Sequence, residues 1–319
     1  MKKYLIYSIV LAVILFVGSL ITLMIYEVTK LPDSLNRIIT EVEEFTNHEF
    51  QLDFNKKFTS NLTYDTGLDG QSIYESQYFW QGIQLDIEAD LVNADVTVQK
   101  TDGDHIEVAI ETKVPERYRI DFDGRELQIK EKKQVRFWLF GWNNYQKAQV
   151  VIKVPTESVD VNLETINGDV MIELSGIDLA ASTVNGDVTI SHSAFTQANL
   201  SVVNGEIFVT DSNVSNVLCL QTVNGSLDVE RVKADRFIAE TVKGDFLLSD
   251  ISGRGLSTST VNGDFNWYNV YLSEIAVDKL NGSFKLVNED STYQIQSLKI
   301  SGINKNHEIQ ANISNISYN

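Results

Sequence analysis

Five carboxylates recur at one register of this 319-residue chain: Asp169, Asp187, Glu206, Asp245 and Asp264 each stand one residue after the glycine of a repeated dipeptide. If the repeats stack, neighbouring carboxylates lie about 4.8 Å apart, one strand spacing. Like charges that close repel, and a bound cation such as calcium would relieve them. The competing reading is that each carboxylate hydrogen-bonds its own turn and stays solvated. Ser226 and Ser283 interrupt the row and the nonapeptide calcium-binding repeat is absent, so no metal is assigned.

Other chemistry is sparse. A polysaccharide-cleaving site needs two convergent carboxylates, and Glu164, Glu240 and Asp278 fall at matching outward places in repeats too far apart to pair. The single cysteine, Cys219, excludes an internal disulfide framework and a cysteine-based metal site. It sits at outward parity of its strand and reads as an inert small residue. The four histidines are scattered, with no zinc-ligand spacing. No catalytic residue and no cofactor are expected.

One segment contrasts with a net charge of −18. Arg136, Phe137, Trp138, Phe140, Trp142 and Tyr145 follow Lys130, Lys132 and Lys133 and precede Lys147. Trp and Tyr favour a lipid interface, and Lys and Arg attract anionic headgroups. The segment therefore reads as a membrane or ligand contact, or else as a plug for the end of the repeat stack. Nucleic acid is not an expected partner for so acidic a chain.

These residues are positioned by an internal repeat. Asn-Gly occurs at Asn167, Asn185, Asn204, Asn224, Asn262 and Asn281, with Lys243-Gly244 filling the one missing slot, at successive spacings of 18, 19, 20, 19, 19 and 19 residues. A fixed period near 20 marks stacked units. Six residues before each Asn stand Val161, Leu179, Ala198, Leu218, Phe237, Leu256 and Ile275, and four before stand apolar or small residues from Leu163 to Val277. Three and five after stand two further apolar columns, Val170 to Phe284 and Ile172 to Leu286. The residue immediately before Asn, from Ile166 to Leu280, is apolar as well and is expected to face inward. Each repeat thus reads as two alternating strands joined at a corner. Asn and Gly suit that corner because both tolerate positive φ. With no second turn of equal strength, the pattern predicts a coil advancing one strand spacing per repeat rather than a hairpin. The Asn column then becomes a ladder of stacked amides.

The expected fold class is all-β: a parallel β-solenoid (β-helix) of about 19-residue coils, with an irregular β cap at its N-terminal end and one preceding transmembrane helix. Residues 1–3 are a cytoplasmic tail, and 4–26 carry no charge and are long enough to span a bilayer as an uncleaved anchor. Lys2 and Lys3 before it and Glu27 after it orient the rest of the chain outside the cell. A cleaved signal peptide is the rival, disfavoured because Leu20–Ile25 continues the apolar run past Gly18-Ser19. Residues 27–77 form a stalk helix, with Ile38, Ile39, Val42 and Phe45 on one stripe, and a linker. Residues 78–155 are the β cap, 156–304 the solenoid and 305–319 a C-terminal tail. Stacked repeats need a cap because an open end exposes core and strand edges.

Val150-Val-Ile-Lys-Val-Pro155, followed by repeats of the Thr-Val-Asn-Gly-Asp-Val type, resembles the bacterial putative-adhesin family of envelope β-strand repeat domains. The resemblance covers about residues 78–304. It implies a right-handed β-solenoid and an envelope location, with no catalytic residues. Lys243, Ser226 and Ser283 depart from the repeat. The expected function is a non-enzymatic, membrane-anchored cell-surface module for binding, adhesion or envelope sensing, partnered by the cell membrane and by a membrane protein or peptide. The alternative is a structural envelope protein that self-assembles as a homo-oligomer; a β-helix enzyme acting on polysaccharide ranks below both.

Overall fold

The computed structural model describes residues 63–66, 72–80, 84–132, 147–302 and 306–318, all within the compact unit Phe58–Asn319. The expected anchor at 4–26, the stalk helix and the basic-aromatic run from Arg136 to Tyr145 lie outside the described residues. Among the described residues, no helix is long and apolar enough to cross a membrane.

The repeats stack as parallel rungs in the register that the Asn-Gly alignment predicts. Val161 pairs with Leu179, Leu179 with Ala198, Ala198 with Leu218, and Leu218 with Phe237. Phe237, Leu256, Ile275 and Leu298 continue the column. After the corner, Val170, Val188, Ile207, Leu227, Phe246, Phe265 and Phe284 form the second. Residues in both columns are buried, so what repeats in sequence becomes a continuous core along the stack. Toward the C-terminal end that core turns aromatic: Phe246 stacks on Phe265 at 4.6 Å, and Trp267 meets Phe284 edge-on at 5.0 Å.

Three expectations are corrected. The residues just before Asn, Ile166 to Leu280, are half-exposed; the buried position is one earlier, at Thr165, Thr183, Thr222, Thr241 and Thr260. Of the corner pairs, the glycines Gly186, Gly205 and Gly282 do adopt positive φ, at 154, 151 and 133, but the asparagines do not. At every corner, glycine is needed also because a Cβ would collide with the rung below: 1.7 Å from the Ala94 oxygen at Gly168, and 1.7 Å from the Gly205 oxygen at Gly225, where neither Gly168 nor Gly225 has positive φ. Five of the coils also have a second corner, seven residues after the Asn position. There His192, Asp211, Arg231, Asp250 and Asn269 sit at φ 49 to 54, followed by a short third side such as Ala194–Phe195 on Asn213–Val214.

The stretch 78–155 divides into rungs and a cap. Leu85–Asp90 and Ala94–Lys100 form a rung directly on Val159–Asn167 and Val170–Glu173. Glu126–Glu131 and Ala148–Val154 form another beneath it. Antiparallel strands then close this end, with Tyr118–Phe122 on one side and His105–Thr112 and Ser72–Phe79 on the other. At the far end, His307–Gln310 and Ile316–Tyr318, in the stretch expected as a tail, add parallel strands to the stack.

Candidate functional site

The polar residues of the repeated Thr-x-Asn-Gly-Asp corner bond mainly to neighbouring rungs, with the buried Thr260 hydroxyl left without a hydrogen-bond partner among the described residues. The threonine hydroxyl is buried and donates to the carbonyl of the corner below, Thr183 to Gly168 at 2.9 Å and Thr222 to Gly205 at 3.2 Å. That carbonyl lies where a Cβ would stand, so glycine and threonine are one device. The asparagine amides form the expected ladder: Asn185 donates to Asn167 at 2.9 Å, Asn204 to Asn185 and Asn224 to Asn204 at 3.0 Å. Asn281 donates to Asn262 at 3.0 Å, and Lys243 occupies the rung between the two runs.

The carboxylate row is likewise tied to the backbone, not to its own turn but to the next. Asp169 Oδ1 accepts from the Asp187 amide at 2.9 Å, Asp187 Oδ1 from Glu206 at 2.8 Å, and Asp245 Oδ1 from Asp264 at 2.8 Å. Asp95 begins the series on the Asp169 amide at 2.8 Å. Where serine interrupts the row the function persists, since Ser226 Oγ accepts from the Asp245 amide at 3.2 Å. Two bonds from Ser283, main chain and side chain, hold the Asp264 carboxyl below the usual carboxylate range. An amide acceptor, not a charge, is thus what the fold asks of this position. Among the described residues no group of His, Cys, Asp or Glu is placed to hold a metal ion. The row also meets a cation at its start: Lys147 Nζ lies 2.7 Å from Asp95 Oδ1 and 3.8 Å from Asp169 Oδ2. Burial works against that ammonium, but the bond to Asp95 and the charges of Asp95, Asp169 and Asp187 outweigh it and raise its pKa.

The cysteine and the outward carboxylates singled out in the sequence are buried or lie on separate rungs. Burial pushes the Cys219 thiol up to about 12, with Glu240 adding to the effect. Burial also raises Glu240, opposed by a bond from Gln221, and raises Asp278, opposed by Lys299. These carboxylates sit on separate rungs: Glu164 pairs with Ser182, and Glu240 and Asp278 flank Ser259.

Two features carry little signal in the sequence. The second corner joins residues of unlike type, and its Asp211 carboxylate receives two bonds from Arg231, at 2.6 and 2.8 Å, across one rung. Their shared offset of seven from the corner asparagine was the only clue. Lys279 replaces the buried threonine in the last Asn-Gly repeat and is fully buried. Its ammonium donates to the Gly282 carbonyl at 2.8 Å, and burial lowers its pKa against the pull of Asp264.

Comparison with solved structures returns a putative adhesin from Parabacteroides distasonis at 13% identity and TM-score 0.47, covering 77% of this chain and 97% of that one. A putative adhesin from Parabacteroides merdae follows at 11% and 0.44, with 77% and 95% covered. A putative lipid binding protein from P. distasonis matches at 12% and 0.42, with 79% and 98% covered. No curated protein matches the chain. The family model for Toastrack DUF4097 matches residues 84–312, and with the rungs, corners and ladders above lying inside that span, the chain belongs to the Toastrack DUF4097 family.

Proposed function

We propose that this protein is a non-enzymatic surface module of the cell envelope, anchored by residues 4–26, that presents the outer faces of its solenoid for binding or adhesion. The observation that carries this reading is the use of the repeat's polar groups. The threonine hydroxyl, the asparagine amide and one oxygen of the aspartate each hold an adjacent rung. A scaffold of this kind keeps its geometry without a ligand and offers outward side chains in regular columns. The uncharged run behind Lys2 and Lys3 supports export of the remainder. The basic-aromatic segment from Arg136 to Tyr145 would then meet lipid headgroups or a ligand outside the membrane.

The test is protease shaving of intact cells that carry an epitope inserted after Gly124, in an exposed hairpin turn. Loss of the epitope without lysis supports the reading. Protection in intact cells together with cleavage after lysis places the solenoid inside and rejects it. Adhesion of shaved and unshaved cells to immobilised envelope fractions then tests the binding role.

A further inference from the structure

Residues two and four after the corner asparagine share one outward face, because those three and five after it point into the core. At the fourth position, parallel pairing lines up Met171, Thr189, Phe208, Asp228 and Leu247. Met171 is 49% exposed and Leu247 40%, with Phe208 half-buried. The apolar side chains thus recur on alternate rungs, about 9.6 Å apart. Between the last two, burial pushes the Asp228 carboxyl up. Two residues away on each rung, about 7 Å, runs the acidic row, of which Asp169 and Glu206 are exposed and Asp187 half-buried.

We infer that this face docks a basic amphipathic helix of a partner protein, laid along the stack with its apolar side chains on Met171, Phe208 and Leu247 and its lysines or arginines over Asp169, Asp187 and Glu206. Three observations fit that occupant. Seven helical residues rise about 10.5 Å, so side chains one heptad apart meet the alternate-rung spacing with about 1 Å to spare per step. The acidic row supplies opposite charge in succession along one flank, whereas the other flank carries Glu173 and Glu230, the latter paired with Arg231. Lys147 already shows an amine reaching two rungs of the row. The strands of this face are paired to neighbours on both sides, so they offer side chains and no open backbone edge to an added strand. The inference rests on the reading of the chain as an exported binding module, and names the surface and the chemistry of its partner.

The experiment uses the full chain in nanodiscs of zwitterionic lipid. A labelled helical peptide of about 21 residues, with leucine once per heptad and lysine along one flank, is titrated by fluorescence anisotropy at two salt concentrations, with empty nanodiscs as the blank. An oligolysine of equal length is the comparison. The peptide is expected to bind and the oligolysine to bind more weakly. Phe208→Ser with Leu247→Ser should weaken the peptide about tenfold, the order of loss for apolar contacts of that size. Asp169→Asn with Asp187→Asn keeps the oxygens that accept the backbone amides, so the fold is retained while binding weakens and its salt dependence is reduced to what Glu206 leaves. Unfolding midpoints of the variants check that retention. Equal binding of oligolysine and peptide, or an unchanged affinity of the apolar variant, overturns the inference. So does self-association that competes with the peptide and disappears in the apolar variant, since the face is then covered by a second copy. Surface exposure on intact cells is scored separately. An exposed chain that ignores the peptide defeats this inference alone, whereas a chain found inside defeats the functional reading first.

Discussion

A Cβ placed on Gly205 would lie 2.0 Å from the carbonyl oxygen of Gly186, one rung below. The same approach recurs up the column, at 1.8 Å for Gly244 and 1.9 Å for Gly263. Backbone cannot yield there without separating two paired rungs. Gly205 also sits at φ 151, so Gly244, which has the collision without positive φ, isolates the close approach. Gly244→Ala is therefore expected to destabilise the solenoid by about 2–4 kcal/mol. Gly103, in a loop where an added Cβ meets nothing closer than 3.5 Å, is the control, and its alanine variant should change stability by about 0.5 kcal/mol or less. Urea unfolding of the two variants separates them. Equal effects would show that the corner tolerates a side chain and that the close approach is not what selects glycine.

How much of this was legible in the sequence depended on whether neighbours repeat or differ. The Val161 and Val170 columns could be read directly because apolar residues recur at fixed offsets from Asn-Gly, and pairing follows those offsets. The Asn167–Asn224 ladder followed from the same stacking. Parity at the corner is not legible in the sequence, because Val at 184, 203 and 223 has the composition of core while standing half-exposed. The chain turns there, and the polar Thr183 goes inside because its hydroxyl finds the Gly168 carbonyl. The second corner was missed because His192, Asp211 and Arg231 share a backbone state and no chemistry. The early rungs were obscured for another reason. Leu85–Lys100 stacks between two segments that both follow it in sequence, and periodicity along the chain cannot show that order.

The threonine hydroxyl makes a second test of the corner. Thr183 is 3% exposed and donates to Gly168 O at 2.9 Å. Valine of nearly the same shape would leave that buried carbonyl without this donor, at a cost of about 1–2 kcal/mol. Position 202 is the reverse case, where a buried valine stands in the threonine column. Val202→Thr would supply a donor to the matching carbonyl and should offset its own desolvation, with a gain of up to about 1 kcal/mol. Opposite signs in thermal melts support the threonine–glycine device, whereas destabilisation by both changes would mean that shape alone governs the column.

Cys219 provides a probe of whole-solenoid opening. Its thiol is 5% exposed, and burial holds its pKa near 12. Since only the thiolate reacts, an aromatic disulfide reagent at neutral pH should leave the native chain unlabelled. One equivalent should react in denaturant, with a midpoint matching loss of β signal by circular dichroism. Stoichiometric labelling in buffer would contradict both the burial and the inert role assigned to this residue.

Asp264 links the carboxylate row to pH. Its folded pKa is depressed, chiefly by the bond from the Ser283 amide and also by that from the Ser283 hydroxyl. A depressed carboxylate contributes stability that is present above its unfolded pKa and is lost as pH falls through the folded one. The loss should therefore fall in the acid range, beginning near an ordinary aspartate pKa of about 3.9 and continuing below it. Asp264→Asn retains an oxygen for the Ser283 amide but cannot titrate. Its melting temperature should fall less steeply than wild type between neutral and strongly acidic pH, with the two curves differing most in slope below the ordinary aspartate pKa. The contribution is small because the group is largely exposed, so the difference of slopes is the quantity to compare. Parallel curves through that range would sink the assignment and show that ionisation of Asp264 has no part in the pH dependence of stability.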